Sequence, residues 1–110
     1  MKKLFIGLLL LVSGSALAQT YEVTFWVNGV CGMCEKRIES ALINSPGVKF
    51  ADWDIETLQV KVAYNSKKLS EQKLHEIVAG VGHDTQKVRA KDEDYDKLNG
   101  CCKYRTLNKH

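Results

Sequence analysis

The chain of 110 residues carries four cysteines in two pairs, Cys31-Gly32-Met33-Cys34 and Cys101-Cys102. Two thiols separated by two residues converge readily on one ion, and thiolates select soft or borderline ions such as Cu(I), Hg(II) or Zn(II) over Mg(II) or Ca(II). The same spacing also serves redox pairs and simple disulfides. If Cys34 stands at the start of a helix, the positive helix end favours thiolate over thiol. Adjacent cysteines rarely bridge to each other, because a disulfide wants Cα atoms about 5.5–6 Å apart. Cys101 and Cys102 therefore read as further thiolate ligands at the first pair or as disulfide partners of Cys31, Cys34 or another chain. His83, in Gly82-His83-Asp84, is the remaining candidate ligand, with a polar residue at a helix end as the alternative. Met33 is expected to point to solvent or pack locally. His75, on the polar side of a helix, and His110, at the terminus, receive no assignment.

The elements that position these residues are legible from periodicity. Tyr21, Val23, Phe25 and Val27 alternate with polar neighbours and Trp26, which predicts a strand buried on one face. Helical spacing follows from Cys34 to Asn44, with Ile38, Ala41 and Leu42 on one stripe, and Ser45-Pro46-Gly47 stops it. Val48 to Ile55 and Leu58 to Tyr64 read as two strands joined by a tight turn near Glu56 and Thr57. Ser70 is a natural N-cap for a second helix, with Leu69 and Leu74 placed as a hydrophobic staple and Gly80 and Gly82 ending it. Thr85 to Ala90 is a weaker last strand. The order predicts an α+β fold, a ferredoxin-like βαββαβ two-layer sandwich. Its topology puts the Gly82 loop at the same end of the sheet as Cys31 and Cys34, which brings His83 towards the pair.

Composition narrows the function. The formal charge is +3, and Lys2 and Lys3 belong to a segment expected to be removed, so the remainder is close to neutral and lacks the basic cluster of a nucleic-acid-binding surface. Residues 1–18 join those lysines to an apolar run from Leu4 to Val12 and to Ala16-Leu17-Ala18, the pattern of a secretory signal peptide cleaved before Gln19. The apolar run falls far short of the roughly 20 residues needed to cross a bilayer, so no membrane anchor is expected after cleavage. A periplasmic or secreted location follows, in which thiols persist only if metal-bound, protected or actively reduced. Residues 19–90 are expected to form the domain and 91–110 a polar C-terminal extension.

Val27-Asn28-Gly29-Val30-Cys31-Gly32-Met33-Cys34, followed by Ile38, Ala41 and Leu42, resembles the metal-binding loop and first helix of heavy-metal-associated domains. That family includes copper chaperones, metal-pump N-terminal domains and periplasmic mercury-binding proteins, and the resemblance runs from about residue 21 to 90. It implies that Cys31 and Cys34 bind an ion in a shallow, exposed site and pass it to a partner by ligand exchange. The family usually has Gly-Met-Thr before its first cysteine, whereas this chain has only Gly29-Val30.

The resulting expectation is an exported protein, not an enzyme, that sequesters or carries a thiophilic ion. Cu(I) leads, with Zn(II) or Hg(II) as alternatives; the acceptor would be a metal-transporting membrane protein or another metal-binding protein. The competing readings are a thiol–disulfide oxidoreductase using Cys31 and Cys34, and a disulfide-stapled interaction module without metal. Pro46, the single proline, lies after the first helix, unlike the proline facing a thioredoxin-type pair. The extension is expected to cross the open sheet face over Trp26 and Phe50, with Tyr95 and Leu98 as contacts, and so return Cys101 and Cys102 to the metal end.

Overall fold

The computed structural model describes residues 20–110. The signal sequence expected at residues 1–18 lies outside them. Among the described residues, no helix is long and apolar enough to cross a membrane.

Three strands, β1 (Thr20–Trp26), β2 (Val48–Asp54) and β3 (Gln59–Asn65), form an antiparallel sheet in the order β1-β3-β2. The register aligns Phe25, Val60 and Trp53 in one row and Val23, Val62 and Ala51 in the next. These rows supply most of the sheet's contribution to the core, since side chains two apart share a face. Two helices cover that face. Helix α1 (Gly32–Ile43) buries Cys34, Ile38 and Leu42 at successive turns, and α2 (Glu71–Gly80) buries Leu74, His75, Val78 and Ala79. Ser70 caps α2 as expected, its hydroxyl accepting from the Lys73 amide at 3.2 Å.

The expected fourth strand is not formed. Thr85 makes a single bridge to Val27, and the chain then turns away. The cause is local: the Thr85 hydroxyl accepts from the Lys87 and Val88 amides at 3.2 and 3.0 Å, offering those donors a turn in place of a ladder. Gln86 completes the substitution, its side-chain Oε1 accepting from the Trp26 amide at 2.9 Å.

That turn redirects the extension. Residues 86–90 never travel to the far end of the sheet: the Ala90 amide donates to Asp84 Oδ1 at 2.8 Å. A short helix, α3 (Asp92–Asp96), and a 3-10 turn (Gly100–Cys102) then pack beside the Gly82 loop and the start of α1. Tyr95 and Leu98 are buried there, while Phe50 remains 46% exposed. The crossing of the open face expected from the sequence is thus replaced by a cap over the end of the sheet that carries Cys31.

His75 is a second correction. It is fully buried, stacked on Phe25 with ring centroids 3.9 Å apart, and its Nδ1 lies 2.7 Å from the Thr85 hydroxyl. Because Thr85 Oγ1 already accepts two amides, its proton is available to Nδ1. The Nε2–H then faces Glu71 Oε2 at 3.4 Å, too long for a hydrogen bond but close enough for attraction.

Candidate metal centre

Cys31 occupies the N-cap of α1 with an extended backbone, beside the free amides of the first helical turn, and its side chain makes no capping hydrogen bond to them. Gly29 makes the approach possible: a Cβ there would meet the Trp53 ring at 2.9 Å and Cys34 Cβ at 3.2 Å. Trp53 in turn fixes the loop, its indole Nε1 donating to the Val27 carbonyl at 3.0 Å.

Three sulfurs gather at this helix start. Cys31 Sγ lies 3.5 Å from Cys34 Sγ and 3.6 Å from Cys102 Sγ, non-bonded separations between free thiols. Cys101 Sγ joins them from the outer side, within 4.8 Å of the sulfurs of Cys31 and Cys102. The adjacent pair in the extension therefore divides its roles, Cys102 fully buried beside Cys31 and Cys101 half-buried.

The thiols differ in acidity. Burial alone would raise Cys31, yet the nearby Cys34 and Met33 amides and the Cys34 and Cys102 thiols bring it down to about 7. Burial raises Cys34, and burial together with the two neighbouring sulfurs pushes Cys102 far above the ordinary thiol range. Cys31 is therefore the most acidic of the three and the first to ionise, half of it thiolate near pH 7, while Cys34 and Cys102 stay protonated until a soft cation displaces their protons. Arg37 Nη1 lies 3.6 Å from Cys102 Sγ, where its charge offsets the anion left when that thiol ionises.

His83 is fully buried and braces the loop. Its Nδ1–H donates to the Asn28 carbonyl at 2.8 Å, and the Asn28 amide donates to the Asp84 carbonyl at 2.8 Å. Tyr104 stacks on the imidazole with centroids 5.3 Å apart, and its hydroxyl donates to the Gly82 carbonyl at 2.7 Å. Gly82 is a required glycine: its φ is +103°, and a Cβ would lie 2.9 Å from the Asp94 carbonyl oxygen. The close sulfur cluster does not include His83, although its buried Nε2 has no hydrogen-bond partner. His110 lies on the surface, but its backbone amide donates to the Val30 carbonyl at 2.8 Å.

Asp84 ties the cap down. Arg105 reaches Asp84 Oδ1 at 3.0 Å and the Ala90 carbonyl at 3.0 Å, with its guanidinium 4.1 Å from the Tyr95 ring centroid. Burial would raise the Asp84 carboxyl, but these Arg105 contacts and the Ala90 amide hold it below its ordinary value.

The two buried histidines make stability pH-dependent. Burial depresses both, His83 from 6.5 to about 4 despite its bond to Asn28. The folded protein therefore binds fewer protons than the unfolded chain in that interval, so stability is full above pH 6.5 and falls as the pH drops towards 4. His83 accounts for about 3 kcal/mol of this loss. Urea midpoints of the metal-free protein should fall markedly between about pH 7 and pH 4.5, and His83→Phe should flatten that dependence. Equal midpoints at the two pH values would contradict the assignment. Asp84 adds its own loss at still lower pH, below its ordinary 3.8.

Sequence reasoning missed Arg37, Asn28 and Tyr104. Arg37 was accessible, because it follows Cys34 by one helical turn and so shares its face. Asn28 acts through its backbone and Tyr104 through the route of the extension, which no local pattern announces.

The heavy-metal-associated domain pattern matches residues 24–84. The copper chaperone CopZ of Staphylococcus aureus is 37% identical over 54 residues, covering 49% of this chain and 79% of the relative. Among solved structures, a CopZ metallochaperone superposes with a TM-score of 0.57 at 33% identity, covering 59% of this chain and 98% of its own. The oxidised form of MerP from Ralstonia metallidurans CH34 gives 0.58 at 32% identity, with coverages of 61% and 94%. With a match spanning more than half its length, on the fold and the Cys31–Cys34 loop just described, the chain belongs to the heavy-metal-associated domain family.

Proposed function

We propose that this protein is an exported carrier of Cu(I), held by Cys31, Cys34 and Cys102 and handed to an acceptor by ligand exchange. The observation that carries the reading is the buried trio of free sulfurs at a helix start. The two or three closest sulfurs satisfy Cu(I), while a tetrahedral Zn(II) site would have to recruit the outer Cys101 as well, within 4.8 Å of Cys31 and Cys102. Likeness to the copper chaperone CopZ favours copper over Zn(II) and Hg(II). His83 holds the loop through Asn28 and need not ligate. Ionisation of Cys34 and Cys102 on loading returns two protons to solvent. The reverse exchange lets an acceptor's thiolates take the ion one sulfur at a time, beginning at the least buried. The signal pattern in residues 1–18 supports export, and the acceptor that fits this chemistry is a metal-transporting membrane protein or another protein with exposed thiolates.

The test is recovery from the native compartment. Protein isolated anaerobically from a periplasmic or extracellular fraction should begin at Gln19 and carry Cu(I) on native mass spectrometry. Recovery with only Zn(II) would replace the ion assignment, and retention in the cytoplasm with residues 1–18 intact would defeat export. A second reading, a redox pair, gains no comparable support, since three converging sulfurs exceed what one cycling disulfide uses.

A further inference from the structure

A fifth sulfur belongs to this patch and has no part in the site proposed above. Met33, expected to face solvent or pack locally, does lie 45% exposed, but its Sδ is 3.3 Å from Cys101 Sγ. The Asn99 side-chain amide approaches the same Sδ at 3.7 Å, which helps fix the thioether. Cys101 is also within 4.8 Å of Cys31 and Cys102, and Cys31 is 3.5 Å from Cys34. Five sulfurs are therefore contiguous from the surface inward. Cu(I) is satisfied by two or three of them, so the cluster holds more soft donors than one ion can use.

We propose that Met33 and Cys101 form a second, outer site for a soft monovalent ion, completed by a bridging thiolate from Cys31 or Cys102. The inference rests on the reading of the inner trio as a Cu(I) site and adds a second position to it. A thioether is a neutral ligand that binds without releasing a proton, while Cys101 loses its thiol proton to solvent as its sulfur–copper bond forms. The metal stays Cu(I) throughout, so no oxidant or reductant enters. Filling both positions gives a two-ion cluster on one chain. With a single ion, the outer pair is the landing place from which Cu(I) passes inward without leaving sulfur.

Anaerobic titration with Cu(I) supplied as its acetonitrile complex, followed by native mass spectrometry, tests this directly. The wild-type monomer should take up two ions, the second dissociating about tenfold more readily than the first. Met33→Leu and Cys101→Ser should each stop at one ion, with the first ion's affinity against a Cu(I) chelator unchanged. Both positions lie at the surface of the site rather than in the core, so both variants should fold. Met33 is the only methionine besides Met1, which makes its 13C-labelled methyl group a specific reporter. It should shift between one and two equivalents of Cu(I). Saturation at one ion with an unshifted methyl, or two ions in every variant, would overturn the outer site while leaving the inner one standing. A wild-type protein that binds no Cu(I) would overturn both.

Discussion

Protein carrying Cys31→Ser with Cys34→Ala is expected to lose Cu(I) affinity by on the order of a thousandfold or more, about 4 kcal/mol, while keeping its fold. The size of the effect follows from the acidities in the site. Cys31 is the first of the three thiols to ionise: burial would raise it, but the neighbouring amides and thiols bring it down to about 7. With Cys31 and Cys34 both gone, two of the three sulfurs are lost together with the one that ionises most readily, and Cys102, whose thiol burial holds above its ordinary range, is left as a lone ligand. Alanine is preferred at position 34 because the sulfur is fully buried, and a serine hydroxyl there would need a partner. Competition against a Cu(I) chelator reads the affinity, and far-ultraviolet circular dichroism reads the fold. Wild-type affinity in the double variant would remove both residues from the site.

Truncation after Ala90 is expected to have the next largest effect. It removes Cys102 and takes the buried Tyr104 off His83, so a ligand and the bracing of the loop disappear together. Loss of outer-shell support alone typically costs roughly 10- to 100-fold in metal affinity, and loss of a sulfur adds to it. Stability should fall by about 2–4 kcal/mol, since Tyr95, Leu98 and Tyr104 surrender their burial and the freed chain regains entropy. The rest should still fold, because Phe25, Trp53, Ile38, Leu42 and Val78 pack between sheet and helices. Cys102→Ser in the full chain separates the two contributions: affinity should fall while Tyr104 still covers His83. Truncated protein with full affinity and an unchanged urea midpoint would make the extension an independent appendage. Accessibility of Trp26 to quenchers, a natural readout had the extension crossed the sheet, should change little.

What the sequence revealed, and what it hid, divides along the range of the interactions involved. The alternation from Val23 to Val27, the Ser70 cap and the Cys31–Cys34 loop are local patterns and appear where expected, although Tyr21, at the outer end of β1, is 55% exposed rather than buried. The first helix begins at Gly32, ahead of the expected Cys34, because Cys31 itself takes the N-cap. Thr85 to Ala90 has strand-like composition, but a hydroxyl that satisfies two amides on its own side of the chain outcompetes the ladder. That single turn decides the route of the next twenty residues. Cys102 thus reaches Cys31 by a short path around the loop end. His75 was misplaced for a related reason, since Phe25 and Thr85, which bury it, are distant in sequence. The contact of Met33 with Cys101 depends on the same route and has no local signature.

The central claim is that one Cu(I) is held by Cys31, Cys34 and Cys102, and X-ray absorption at the copper edge tests it most directly. At one equivalent of Cu(I), the full chain should show a shell of sulfur alone with three scatterers, falling to two in Cys102→Ser. A shell containing nitrogen or oxygen, or a three-sulfur shell that survives the loss of Cys102, would contradict the account.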